Sequence, residues 1–275
     1  MSLATSSRRQ GGLVRSLGAI VLLALMLSPV LWMVNASLLP DGRPAHGVWF
    51  PTDPDPSGYV RAFHDQGGAL VTSLAVSLGT AALSLALAAP AAHALTLSPL
   101  PGAGPFLFAV LLVQAVPGIS VANALHGLYA DTGLLDTRVG LVLADSTAGA
   151  PLAILVLRTA MAAIPREIVE AARLDGAGAW RVFRSVVLPL SMNALVTAGL
   201  FAFLFAWGDT LFALTLTTTD AVRPITLGLY DYLGAHTTRW NATMATAVLA
   251  SLPAAVLVVV AHRHITTGPA AGATH

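Results

Sequence analysis

Six long apolar runs, nearly free of charge, constrain this chain more than any other feature of its sequence. They cover residues 17–39, 70–95, 104–127, 139–163, 191–214 and 242–262. A hydrocarbon core about 30 Å thick is crossed by roughly 20 mainly apolar helical residues, so each run is long enough to span it. Backbone polar groups find no water there and must pair within the segment, which makes helix the expected conformation of every run. Composition agrees: 56% of the 275 residues are hydrophobic, 10% are charged, and the mean hydropathy is +0.76. The expected fold class is therefore an all-α membrane protein with six transmembrane helices. A 1–16 tail would precede the 17–263 membrane domain, and a 264–275 tail would follow it. The first run, behind Arg8 and Arg9 and ahead of Val34-Asn35-Ala36, has some look of a signal peptide. It exceeds the roughly 7–15 apolar residues such a peptide carries and is read as a span.

Several chemistries are excluded by residue content. There are no cysteines, so disulfides, thiolate metal sites and cysteine nucleophiles are impossible. All 14 basic residues are Arg, which removes the lysine that a P-loop needs and with it ATP hydrolysis by that route. A net charge of +1 gives no sign of a nucleic-acid partner. His93, His126, His262 and His264 lack the spacing and supporting carboxylates of a metal site, and neither HExxH nor GxSxG occurs, so no catalytic residue and no metal are expected.

With six spans both termini lie on one side, and arginine should mark it as cytoplasmic. Arg8, Arg9, Arg15, Arg158, Arg166, Arg173, Arg181, Arg184 and Arg263 fall on the side of the termini and the 164–189 loop; Arg43, Arg61, Arg138, Arg223 and Arg239 fall opposite. The loop from Thr96 to Ala103 is uncharged and adds nothing. Outside, residues 40–69 are rich in Pro, Gly and Asp and predict a turn-rich loop with a short helix near Tyr59 to Phe63; a second external segment, Thr215 to Asn241, contains an amphipathic stretch from Ile225 to Leu233.

The 164–189 loop carries the most information. Pro165 suits a first helical turn, Glu167 complements the positive helix N-terminus, Arg173 the negative C-terminus, and Gly176 suits a left-handed helix end. A second helix is expected from Ala179, with Trp180, Phe183 and Val187 at helical spacing on an apolar face and Pro189 separating it from the fifth span. By itself this reads as a helical hairpin on a membrane surface, equally suited to anionic lipid or to a protein partner.

Within the loop, Glu170-Ala171-Ala172 is followed after three residues by Gly176, and after nine more by Val186, Leu188 and Pro189. This resembles the cytoplasmic signature of ATP-binding-cassette (ABC) importer permeases, with Val186 where Ile is commoner. Ile164-Pro165, Phe205-Ala206-Trp207-Gly208-Asp209, Arg223-Pro224-Ile225-Thr226 and the stretch from Gly268 narrow the likeness to carbohydrate-type permeases, specifically the smaller maltose permease subunit, from about Asn35 onward. Asp209 stands where Asn is common, and the uncharged Thr96 to Ala103 loop departs from the usual basic one. The resemblance implies a second related permease, two ATPase subunits or a dimer of one, an extracytoplasmic solute-binding protein, and a cytoplasmic (plasma) membrane location. ATP and Mg would be bound by the ATPase, with no cofactor in this chain. Coupling would run through Glu170, Ala171, Ala172, Asp175, Gly176, Leu188 and Pro189.

Polar residues within the spans are the candidates for a solute path: Gln114, Asn123, Asp145, Trp207 and Asp209. Hydroxyl-rich solutes call for such acceptors and donors, and an indole can stack on a pyranose face. Each candidate also has a structural reading, as an interhelical hydrogen bond, a paired charge or an interfacial anchor. An ion-coupled secondary transporter is the alternative function, disfavoured by the lack of a visible repeat.

Overall fold

The computed structural model describes residues 4–41, 53–97, 101–233 and 240–265, and these are helical with short connections. Parts of the loops at Arg43 and Arg239, expected on the external side, the middle of the Thr96 to Ala103 loop and the segment from Gly268 lie outside the described residues. Among the described residues four helices are long and apolar enough to cross a membrane, within Arg15–Ala36, Ser57–Leu97, Arg138–Ala162 and Trp240–His262; counting each of two bent helix pairs as one span raises the number to six. The chain divides into two compact units.

The smaller unit comprises residues 1–65 and 232–249. It holds α1 (Ala4–Ala36), the start of α2 (Ser57–Leu97) and the start of α12 (Trp240–Ile265). Helix α1 already begins at Ala4, so the segment expected as a tail is helical. Tyr59 to Phe63, expected as a separate short helix, form the first turns of α2 instead. Asp55 starts that helix by accepting the Ser57 amide at 2.9 Å, which satisfies one of the orphan donors of a helix N-terminus. Ala36 and Leu39 are buried with Trp32 and Met244 beside them. A Cβ at Gly58 would stand 2.9 Å from the Asn241 carbonyl carbon, so only glycine allows this backbone approach.

The larger unit comprises residues 66–231 and 250–275. After the rest of α2 come α3 (Ala103–Gln114), α4 (Gly118–Thr132), α5 (Arg138–Ala162), α6 (Arg166–Leu174), α7 (Ala179–Val182), a π-helical turn (Phe183–Val187), α8 (Leu188–Leu190), α9 (Met192–Gly208), α10 (Leu211–Leu216) and α11 (Ile225–Gly228). Helix α5 packs most extensively on α9. Lipid offers no hydrophobic drive for helix association, and the contacts are made by small residues that let backbones approach. Ala88, Ala89, Ala92, Ala153 and Ala198 are all buried in one cluster with Ile154, Leu157 and Met161. Gly149 belongs to the same design, since a Cβ there would meet Ser84 Oγ at 2.7 Å and Ala202 Cβ at 3.4 Å.

Three expected elements take a different form. The run 104–127 is not one straight crossing: α3 and α4 meet at 91°. Pro117 has no N–H to donate, and Ala115 and Val116 close α3 with tight bonds to the Leu112 and Val113 carbonyls before Pro117 turns to an extended backbone. The run 191–214 is interrupted at Asp209 and Thr210, where α9 ends and α10 begins. Pro189 does not separate the loop from this span. It lies inside α8, at a first-turn position where its missing N–H is tolerated, and the 78° bend to α9 falls at Ser191.

Candidate functional site

The 164–189 loop folds as a helical hairpin fixed to the larger unit at one end more firmly than at the other. Helix α6 starts after Pro165, carries Glu167 in its first turn and Arg173 in its last, and buries Val169. Its end is a Schellman turn: Gly176 donates to the Arg173 carbonyl and Ala177 to the Ala172 carbonyl, both at 3.0 Å, with Gly176 at φ +83°. No neighbouring atom lies within 4 Å of where a Gly176 side chain would begin, so the backbone angle alone demands glycine. Glu170, Ala171, Asp175 and Gly176 are exposed and Ala172 is half-buried. The exposed surface of α6 thus sets the small Ala171 beside charged Glu170 and Arg173, with the apolar Ile168 and Leu174 exposed as well.

The second limb is anchored by Val182, Phe183 and Val187, buried with Val169 in the same cluster as α2, α5 and α9 residues. Trp180, expected on that apolar face, is 68% exposed. It touches only the edge of the limb, with its ring 5.5 Å from that of Phe183. Both residues lie in α7, ahead of the π-helical turn, and Val182, two residues on and about 200° around the helix from Trp180, takes the inward position. Phe183 also sits 5.0 Å from the His93 ring on α2, which ties the limb to a second long helix. Leu188 is half-buried and Pro189 exposed.

The polar span residues are not gathered at one place. Gln114 and Asn123 are exposed, on either side of the α3–α4 bend. Asp209 is half-buried just beyond α9; its carboxylate accepts the Ala213 amide at 3.1 Å and its carbonyl accepts the Thr226 hydroxyl at 2.8 Å. Trp207 is 8% exposed, stacked on Phe203 and donating its indole N–H to the Ala250 carbonyl at 3.0 Å, so ring and N–H are both engaged inside the unit. Asp145 is 2% exposed, enclosed between helices. Among the described residues no cluster of His, Cys, Asp and Glu suits a metal ion.

Two further contacts were not read from the sequence. His126 on α4 donates from Nδ1 to the Thr215 carbonyl at 2.7 Å, clamping the end of α10. Asp136, at φ +55°, accepts from the Thr218 and Thr219 amides and hydroxyls. The Leu134-Leu135-Asp136-Thr137 run was a turn signal, but only the fold brings the Thr218 segment to it.

The model of the family described as "Binding-protein-dependent transport system inner membrane component" matches residues 1–268. The chain belongs to that family. It is a multi-pass membrane permease subunit of a binding-protein-dependent, ABC-type transport system. Among relatives of this inner membrane component, the trehalose transport system permease SugB of Mycobacterium tuberculosis is 33% identical, over 90% of this chain and 92% of its own length. The diacetylchitobiose uptake system permease DasC of Streptomyces coelicolor is 30% identical, over 93% and 94%. The crystal structure of a bacterial ABC transporter that imports the acidic polysaccharide alginate contains a chain of the same fold. Its TM-score is 0.80 at 22% identity, with 94% of this permease and 97% of that chain covered.

Proposed function

We propose that this permease, paired with a second related one, forms the path by which a sugar or sugar-like solute delivered by an external binding protein enters the cell. Cytoplasmic ATPase subunits drive it through the α6 hairpin. The single observation that carries the coupling role is the hairpin's geometry. One limb is fused through Val182, Phe183 and Val187 to the helices of the larger unit, while α6 presents Glu170, Ala171 and Gly176 outward. Small residues on the exposed face permit close approach of a partner's groove, and Glu170 offers a charge to a basic group there. Force applied to α6 reaches α2, α5 and α9 through a packed core that does not deform continuously.

The Arg bias puts this hairpin and both termini in the cytoplasm. A sugar cargo is supported by the relatives, which are named for trehalose, diacetylchitobiose and alpha-glucoside transport. For the path we assign Gln114, Asn123 and Asp209, whose polar groups are reachable, and place Trp207 and Asp145 behind its wall. The test is to purify the chain from its own cells in mild detergent, identify what accompanies it, and measure uptake of labelled disaccharides with and without it. An accompanying ATPase and second permease, with ATP-dependent uptake, are expected. A chain purified alone, with uptake driven by an ion gradient instead, would establish a secondary transporter.

A further inference from the structure

Three hydroxyls on one stripe of α2 differ from most hydroxyls in the membrane helices, although Ser191 at the α8–α9 bend also lacks a partner. Ser146, Thr159, Thr197 and Thr246 each donate to the carbonyl four residues back, which satisfies them within their own helix. Ser77, Thr80 and Ser84 are fully buried, and their hydroxyl oxygens have no hydrogen-bond partner. Their spacing of three and four puts them on one face of α2.

Ser84, at one end of that face, meets α5, since a Cβ at Gly149 would stand 2.7 Å from Ser84 Oγ; one turn back along each helix stand Thr80 and Asp145. Gly79, on a neighbouring side of α2, also meets α5, where its Cβ would stand 2.8 Å from Val142 Cγ2. Asp145 lies three residues after Val142 and four before Gly149, on the same side of α5 as both. Helical side chains lean toward the N-terminus, which brings its carboxylate to the level of Thr80 and Ser77. Asp145 Oδ1 is buried and also lacks a partner. Among the described residues no Arg or His pairs with Asp145, and the charged group that acts on it is another acid, Asp209.

A buried carboxylate without a basic partner is costly in a bilayer unless a proton or a bound cation neutralises it. The unpartnered atoms around it are all oxygens, the donors that hard cations take. One enclosed carboxylate and neutral hydroxyls suit a single positive charge, whereas a divalent ion would draw on more acidic ligands than this pocket offers. We propose that Asp145, with the Thr80 and Ser77 hydroxyls, binds a monovalent cation of the sodium class between α2 and α5. Ser84 over Gly149 closes the far end, and half-buried Asp209 supplies the electrostatic approach. The bound ion neutralises Asp145 and holds the two helices in register. The inference rests on the membrane placement of α2 and α5 and is independent of the cargo.

The experiment is equilibrium binding of radioactive sodium to the purified full complex in lipid nanodiscs, in choline buffer near neutral pH, alongside thermal unfolding in sodium against choline at constant ionic strength. Saturable binding is expected, with one ion per copy of this chain displaced by unlabelled sodium, and a higher unfolding temperature in sodium. Asp145→Asn, which keeps the shape and removes the charge, should abolish both. Thr80→Val should weaken binding about tenfold without misfolding, since it keeps the branched shape and removes only a hydroxyl that has no partner within the chain. Glu170→Lys, which breaks ATPase coupling, should bind sodium normally, so loss of the coupling reading and loss of the ion site are separable. No saturable sodium binding by the wild type, or binding unchanged in Asp145→Asn and Thr80→Val, overturns the proposal. So does a wild-type stability that follows pH but not sodium and loses that dependence in Asp145→Asn, because a proton then occupies the site.

Discussion

The Asp136 carboxylate accepts the Thr218 hydroxyl at 2.5 Å and the Thr218 amide at 2.7 Å, and so staples the turn before α5 to the segment after α10. The Thr218 hydroxyl, aided by the Thr219 and Thr218 amides and the Thr219 hydroxyl, holds the Asp136 carboxyl below the usual carboxylate range, against the opposing effect of partial burial. A depressed folded value means that the contribution to stability is complete above the unfolded pKa of about 3.9 and is lost as pH falls through the folded value. The staple should therefore persist at neutral pH and release only in acid, below about pH 4. Amide hydrogen exchange at Thr218 and Thr219 checks this. Asp136→Asn, which tolerates the left-handed backbone but lacks the charge, should raise exchange there at neutral pH and remove its acid dependence.

Gly176 at φ +83° has open space around it, so substitution acts through the backbone alone. Gly176→Val should cost about 1–2 kcal/mol in the local turn and change the angle between α6 and the second limb. The expected result is normal insertion with ATPase copurification and solute-stimulated ATP hydrolysis lost. Gly176→Asn, which enters the left-handed region more readily, should retain much of both. Full activity of Gly176→Val would remove the turn from the coupling route.

At Gly149 the constraint is space and not backbone angle. Gly149→Ala meets the movable Ser84 hydroxyl and Ala202, and should lower thermal stability slightly; Gly149→Leu should separate α2 and α9 from α5 and cost about 1–3 kcal/mol, the usual penalty of overpacking. Unfolding in detergent, followed by tryptophan fluorescence, measures both.

Orientation can be tested with introduced cysteines, because the chain has none of its own. Ser185 and Thr219 are both exposed. Ser185→Cys should resist an impermeant thiol reagent added outside intact cells, and Thr219→Cys should react. Reaction of Ser185→Cys but not Thr219→Cys would reverse the reading of the arginine bias, and reaction of both from outside would overturn their placement on opposite sides.

Asn123→Ala and Asp209→Asn should reduce solute uptake while leaving the ATPase bound, since the first truncates an exposed polar group on α4 and the second keeps the shape that caps α10. Wild-type uptake by both variants, at normal expression, would take them out of the solute path.

The helices, the hairpin turn and the family were legible in the sequence because each rests on local chemistry. A run of about 20 apolar residues must be helical in lipid, and glycine after Arg173-Leu174-Asp175 ends a helix whatever surrounds it. The Pro117-Gly118 pair was a readable sign of the α3–α4 bend, masked by the uniform apolarity of its flanks. What periodicity could not supply was which side of an apolar helix meets another helix, since in lipid nearly every side is apolar. Tertiary structure decided that Trp180 faces outward while Val182 and Phe183 anchor the hairpin, because the core formed by α2, α5 and α9 residues receives the Val182 side of α7. It also decided that Trp207 and Asp145 point into the chain while Asn123 stays accessible, because small residues such as Gly149 draw α2, α5 and α9 together around the buried ones. The sequence by itself determined what kind of molecule this is and where its 164–189 hairpin lies; only the packing of helices distant in sequence determined which polar groups remain open and which are enclosed.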